Sequence, residues 1–368
     1  MRVLQVSSAR AFGGGERHLA DLARGLHERG HELLVALREG SPLLERLSFL
    51  HGPNVYTLPL RNSLDLGSAL KLARIARGRK VDIIHAHVAR DYVPASVAAR
   101  RAPSRLVITR HVLFPLSRAH RLALSNVSRV IAVSEPVARA LRAQKIFEEE
   151  RLRVVENGVD LARFERARAE AGRDTPDGLL RVGIVGELSE VKGQSEFVRA
   201  AALVNEEFGG RVEFLIVGDD HSRGGEYRAH VLRLIEELGM KGRVRLLERV
   251  EDVSRVVVKL DLLVSASRSE AFGLAMAEAL VCGVPVVATA TEGARSLIDE
   301  GVNGLLVPVG DVRALAAAVS SLLRDEGPRL VLSTNARRSA RERFGVERML
   351  EATERVYEEA LGGAMMRR

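Results

Sequence analysis

At 368 residues, 46% of them hydrophobic, with a mean hydropathy near zero, the chain is too long for one ordinary core and is expected to fold as two globular domains. No apolar run approaches a membrane span, and the single cysteine, Cys282, excludes an intramolecular disulfide and suits a reducing cytoplasm. The formal charge of +8 hides an asymmetry: residues 1–170 carry 29 Lys and Arg against 17 Asp and Glu, and the remainder 27 against 31. A net +12 facing a net −4 points the first half at an anionic partner. With no Trp and 4% aromatics there are few platforms on which bases can stack, so nucleic acid is not the expected partner. Anionic membrane lipid or an anionic acceptor is.

The opening MRVLQVSS runs directly into a strand, and no signal peptide is expected. ARAFGGGERH follows, then the helix LADLARGLHERG, ended by Gly30, and the strand ELLVALRE. Gly13, Gly14 and Gly15 do not have the alternate spacing of the dinucleotide fingerprint. They read equally as a flexible turn or as a source of N–H groups for an anion. Strands and helices then alternate through NVYTLPL, DLGSALKLARIARG, VDIIHAH, DYVPASVAARRA, RLVITR, RVIAVS and EPVARALRA. His85 and His87 end one strand; they are expected to point to opposite sides as separate hydrogen-bonding groups rather than as a metal pair. His111 directly follows the strand LVIT, at its carboxyl end. The loop VLFPLSRAHR combines Leu113, Phe114 and Leu116 with Arg110, Arg118 and Arg121. It suits either an anionic lipid surface or an ordinary helix with a core face. The segment 64–80, with Lys71, Arg74, Arg77, Arg79 and Lys80, is a second basic surface.

Residues 165–178 lose the apolar pattern and end in Pro and Gly, as a linker would. Strand LLRVGIVG, the loop ELSEVKG and helix QSEFVRAAALVNEE open the second half. Lys192 at the head of that helix is a sensible phosphate partner, since ammonium and helix dipole both favour an anion. It is no P-loop, because Lys precedes Gly and no Ser or Thr follows. After VEFLIVGDD, YRAHVLRLIEELG, VRLLER and the helix VEDVSRVVVKL comes the most informative stretch, DLLVSASRSEAFGLAMAEALVCGVPVVA at 261–288. It reads as a buried strand, a polar turn, a helix and a second buried strand. Glu270 falls near the first strand's carboxyl end and Glu278 about a turn into the helix, in the crevice where open α/β sheets bind ligands. Acceptor-only oxygens there suit a ligand rich in hydroxyls. Cys282 is expected to be a small buried hydrophobe.

This stretch resembles the signature of the retaining glycosyltransferases of family 4, the glycogen-synthase-like enzymes with the GT-B fold. Glu270 and Glu278 are separated by seven residues, Phe272-Gly273 follows the first, and Gly283, Pro285 and Val286 complete the pattern. GGGERHLADLARGLHERGHE resembles the family's opening loop, Thr109-Arg110-His111 its sugar-facing histidine, and Asn157-Gly158-Val159-Asp160 with Phe164 its domain boundary. Lys192-Gly193 matches the diphosphate grip, whereas Glu187 stands where an arginine is common and Arg295-Ser296 where Pro-Glu is common. The resemblance implies an α/β protein with two Rossmann-like domains facing a central cleft. Residues 1–170 with a last helix at about 346–368 would bind acceptor, and 178–345 the nucleotide-sugar. It implies retaining transfer from a UDP- or GDP-sugar to a hydroxyl, in cell-surface polysaccharide or lipid-linked glycan synthesis, by a cytoplasmic protein peripheral to the membrane's inner face. His111, Lys192 and Glu270 would act in catalysis. Gly13, Gly14, Phe272, Gly273, Leu274 and Glu278 would bind substrate, with Glu278 on the ribose. No metal or other cofactor is expected. The alternatives are a non-catalytic nucleotide-sugar-binding protein and a GT-B nucleotide-sugar epimerase.

Overall fold

The structure, a computed structural model, describes residues 1–50, 52–171, 178–248 and 250–362. The chain divides into two units, Met1–Gly158 joined by the residues from Val346 onward, and Val159–Gly345.

The first unit is built on β1 (Arg2–Ser7), β2 (Glu32–Arg38), β3 (Val55–Leu58), β4 (Ile83–Ala86), β5 (Arg105–Arg110), β6 (Val127–Ala132) and β7 (Leu152–Val154). They lie in the order β3-β2-β1-β4-β5-β6-β7, every pair parallel. The second is built on β8 (Leu180–Val185), β9 (Val212–Val217), β10 (Val244–Leu247), β11 (Leu262–Ser265), β12 (Val286–Thr289) and β13 (Gly304–Val307). Their order, β10-β9-β8-β11-β12-β13, is again all parallel. These strands read as continuous apolar runs because helices cover both faces; Val3, Leu4, Val6 and every residue from Leu33 to Leu37 are at most 1% exposed. In each sheet the order reverses beside the first strand, between β1 and β4 and between β8 and β11. The carboxyl ends at these reversals form crevices, because the connections leave in opposite directions.

Helices start where the sequence supplies a cap. Asp65 accepts from the Ser68 N–H, Ser134 from Val137, Thr291 from Ala294 and Asp311 from Ala314. The final helix, Val346–Leu361, buries Met349, Leu350, Val356, Tyr357 and Ala360 against Val3, Leu22, Val107 and Ile131 of the first unit. Its polar side is tied down by Arg29 to Glu347 and Glu354, by His31 to Glu354 at 2.8 Å, and by Arg129 and Arg153 to Glu359.

Four expectations need correction. The first unit gives way to the second after Gly158, not near 170. Residues Leu161–Ala171 form a helix of the second unit, and it reads as linker because only Phe164 and Ala167 are buried along it. The rest of the expected linker, 172–177, lies outside the described residues. The helix expected across VEDVSRVVVKL is a single turn, Ser254–Val257. The helix expected to begin near Leu19 begins at Gly14, with Gly13 as its N-cap.

Two contacts of the first unit are testable. A Cβ on Gly158 would lie 2.6 Å from the Val346 Cα, so Gly158→Ala forces backbone apart where the last helix enters. It should cost on the order of 1–3 kcal/mol in urea unfolding; an unchanged midpoint would show that the approach is not tight. Asp91, 1% exposed, accepts the Ser8 N–H at 2.7 Å and joins the end of β1 to the turn after β4. Burial raises its carboxyl to about 6, outweighing the hydrogen bonds from Ser8. A folded pKa above the unfolded one means that the folded state holds the extra proton, so this group's contribution falls as pH rises from about 4 to about 6. Relative to Asp91→Asn, the wild type should lose about 3 kcal/mol across that window. A wild-type-minus-variant difference that does not vary with pH would refute this.

Candidate active site

The crevice of the second unit lies past the ends of β8 and β11, lined by Lys192, Ser265, Ser267, Glu270, Gly273 and Met276. The loop between β8 and the helix Gln194–Phe208 is clamped by the wholly buried Gln194, whose amide donates to the Glu187 carbonyl at 2.9 Å and accepts from the Ser189 N–H at 3.3 Å. Gly193 then takes a left-handed turn (φ +73°) against β11's exit, where a Cβ would lie 2.1 Å from the Ala266 carbonyl oxygen. Only glycine fits that approach. It aims Lys192 into the crevice, where Nζ donates to both oxygens of Glu270 at 2.7 and 2.8 Å. The Glu187 side chain is exposed, and among the contacts of its residue the backbone carbonyl is what holds the loop.

Glu270 stands in the loop before the helix Leu274–Cys282. The Gly293 N–H donates to the Glu270 carbonyl at 2.9 Å and fixes this loop. Gly273 caps the helix at φ +98°, and a Cβ there would come within 2.1 Å of Met276 Cε. Phe272 is buried edge-on against Phe344, with ring centroids 5.8 Å apart. Its side chain is therefore a core anchor, and the residue is not among those lining the crevice. Glu278 lies farther along the helix, buried, with Oε1 3.6 Å from Nη2 of Arg163; Nε of Arg163 is 3.3 Å from Asp252. The structure thus brings Lys192, Glu270 and Gly273 into one crevice and sets Glu278 beside Arg163, a neighbour the sequence did not reveal because it lies 115 residues away.

Gly13, Gly14 and His111 belong to the first unit, at the crevice beside β1 and β4. The Glu16 carboxylate accepts the Gly13 N–H at 3.0 Å, which fixes the head of the helix Gly14–Glu28. A Cβ on Gly15 would lie 3.6 Å from the His111 ring. His111 is joined by His18 and His87, with ring centroids 4.9 and 5.9 Å from its own, and His85 lies 4.1 Å from His87. His85 and His87 therefore neighbour each other instead of pointing to opposite sides, as residues two apart along extended chain do. A buried chain of hydrogen bonds orders the cluster. His85 bonds Thr109 Oγ1 and the Tyr357 hydroxyl, each at 2.7 Å; Gln5 donates to that hydroxyl at 3.2 Å and its oxygen accepts from His87 Nε2 at 2.7 Å. Burial keeps all four imidazoles neutral: His18 is lowered to about 4, and His85, His87 and His111 well below the ordinary value, their histidine neighbours adding to the effect. His18 and His87 were missed as members of this site. The available signal, for His87 only, was the His-x-His spacing at the end of a strand whose next neighbour is followed by His111.

Two family models divide the chain between them. Residues 12–163 match "Glycosyltransferase Family 4" and residues 166–339 match "Glycosyl transferases group 1". The D-inositol 3-phosphate glycosyltransferase of Salinispora tropica is 30% identical over 95% of this chain and 81% of its own. The N-acetyl-alpha-D-glucosaminyl L-malate synthase of Bacillus anthracis is 27% identical over 93% and 92%. Among solved structures, Anabaena HepE in complex with UDP and glucose superposes with a TM-score of 0.85 at 26% identity, over 98% of this chain and all of that one. Sucrose-phosphate synthase from Thermosynechococcus elongatus shares the fold at a TM-score of 0.79. With two Rossmann-like units, and with such relatives matching nearly its whole length, the chain belongs to glycosyltransferase family 4 and is a glycosyltransferase of the GT-B fold.

Proposed function

We propose that this glycosyltransferase moves a hexosyl group from a UDP-sugar to a hydroxyl of an anionic acceptor, with retention of configuration and with no metal at the diphosphate. The observation that carries the reading is Lys192, held at the head of the helix Gln194–Phe208 in the crevice of the second unit. Charge develops on the departing diphosphate, and a preorganised ammonium beside a helix N-terminus stabilises it more in the transition state than in the ground state. When the diphosphate takes Lys192, the Glu270 oxygens that now accept from it turn to the sugar hydroxyls. Glu278 holds the ribose, and the backbone at Phe272, Gly273 and Leu274 presents N–H groups at the head of its helix. Neutral His111 and the Gly13-Gly14 turn serve the reacting sugar and the acceptor.

UDP is the proposed nucleotide because HepE binds it. An anionic acceptor fits the names of two relatives, which act on an inositol phosphate or make a malate glycoside. It also fits the charge of the first unit: residues 1–158 with 346–368 hold 30 Lys and Arg against 19 Asp and Glu, net +11. A second reading, an acceptor presented at an anionic membrane, is favoured by Phe114 and Leu122, 69% and 81% exposed, beside the exposed Arg118 and Arg121. No helix among the described residues is long and apolar enough to cross a membrane, so such docking would be peripheral.

Calorimetric titration with UDP, GDP and ADP should give tightest binding for UDP, and the matching sugar should be released slowly from UDP-hexose without acceptor. Lys192→Ala should weaken UDP by about 10- to 100-fold while leaving UMP nearly unaffected, as loss of a charge-assisted contact to the terminal phosphate does. Glu278→Ala should weaken UDP and UMP alike, since both carry the ribose. Equal loss of UMP in the two variants would overturn the division of roles. Proton NMR of the product should show the donor's anomeric configuration, and transfer should survive a chelator; inversion, or loss of rate restored by magnesium, would sink the corresponding half of the reading.

A further inference from the structure

We infer that His18, His87 and His111 form a binding site for a transition-metal ion, zinc by preference, and that its occupation silences transfer. One ring nitrogen of each lies within 4.8 Å of those of the other two. Nδ1 of His18, Nδ1 of His87 and Nε2 of His111 are buried and have no hydrogen-bond partner among the described residues. His18 and His87 are 2% and 5% exposed. A native interior leaves few such atoms, because each costs roughly 1–3 kcal/mol. Three histidine ring nitrogens gathered in one place, with a bare Nδ1 on His87 and a bare Nε2 on His111, indicate a ligand.

The chemistry of the atoms identifies that ligand. His87 donates its Nε2–H to the Gln5 oxygen, since the Gln5 amide nitrogen is committed to Tyr357; its Nδ1 is therefore a lone pair directed away from the network. A histidine whose tautomer is fixed by a second neighbour is the usual arrangement behind a metal. Neutral imidazoles suit zinc, and three of them leave one coordination position open. Zinc–nitrogen bonds of about 2.0–2.1 Å set nitrogens about 3.3 Å apart, so each ring has to move by up to about 1 Å. Carboxylates, which would suit magnesium or calcium, take no part in the cluster.

The inhibitory half rests on the role proposed above for His111; the binding half does not. A His111 nitrogen bound to an ion cannot also serve the donor sugar, so filling the site and transferring sugar exclude each other.

The test is calorimetric titration of the chelator-treated full-length protein with zinc chloride, with cobalt chloride absorption as a report on the ligands. One equivalent should bind, raise the melting temperature and, for cobalt, give the visible bands of a nitrogen-liganded ion of low coordination number. His18→Gln should weaken zinc at least 100-fold, and His221→Gln, which changes an exposed histidine, should not. Should His18→Gln fail to fold, His111→Ala, in a loop and only half-buried, makes the same measurement. No stoichiometric binding, or equal affinity in His111→Ala and the wild type, would overturn the site. In the transfer assay zinc should inhibit over the concentration range in which it binds. Binding without inhibition would overturn the second half alone and would remove His111 from contact with the sugar.

Discussion

Everything in the candidate donor site depends on one close approach, the left-handed turn at Gly193 lying against the carbonyl of Ala266. Two parallel strands that diverge at their carboxyl ends leave a gap. A helix can start inside it only if the preceding residue carries no side chain. That contact fixes where the helix dipole and the ammonium of Lys192 point. The buried Gln194 amide holds the rest of the loop to it, so the cation is positioned by backbone packing rather than by the length of a flexible side chain. A preorganised charge of this kind needs no rearrangement when a diphosphate begins to leave.

The bidentate pair of Lys192 with Glu270 has its own physical logic. An ammonium set beside a buried helix start would be costly to leave without an anion, and a carboxylate nearby costly to leave without a cation. Pairing them satisfies both. On the proposed function, a donor would bring a diphosphate for one and hydroxyls for the other, replacing one set of charge-assisted bonds by another.

The alternation of strands and helices was legible because parallel strands covered on both faces have to be apolar throughout, and runs such as ELLVALR hold no other reading. Lys192, Glu270 and Gly273 were legible as candidates because they lie in loops between such a run and a helix, Lys192 at the helix head and Glu270 and Gly273 in the family's pattern. What remained hidden depended on topology. That β4 lies between β1 and β5 is a property of the sheet order, and only that order gathers His18, His87 and His111. Arg163 could not be tied to Glu278 or Asp252 from spacing. The resemblance marked residues 157–160 as the boundary stretch, but the apolar pattern ran past it, because the helix after it buries only Phe164 and Ala167, too little for a periodic signal.

The hydroxyl of Tyr357, on the last helix, completes the hydrogen bonds of His85 and Gln5, which lie on the earliest strands of the chain. During synthesis the first unit therefore cannot finish when its own sheet emerges from the ribosome. The second unit, continuous in sequence from Val159 to Gly345, is made in full before the residues that close the first are available. Until then the apolar side of β1, β5 and β6 that the last helix covers stays open, and Gln5 and His85 lack the Tyr357 hydroxyl. Order of closing thus runs against order of synthesis: the half made second can close first. Any release of the nascent chain short of its final helix would leave the histidine cluster without the residue that orients it.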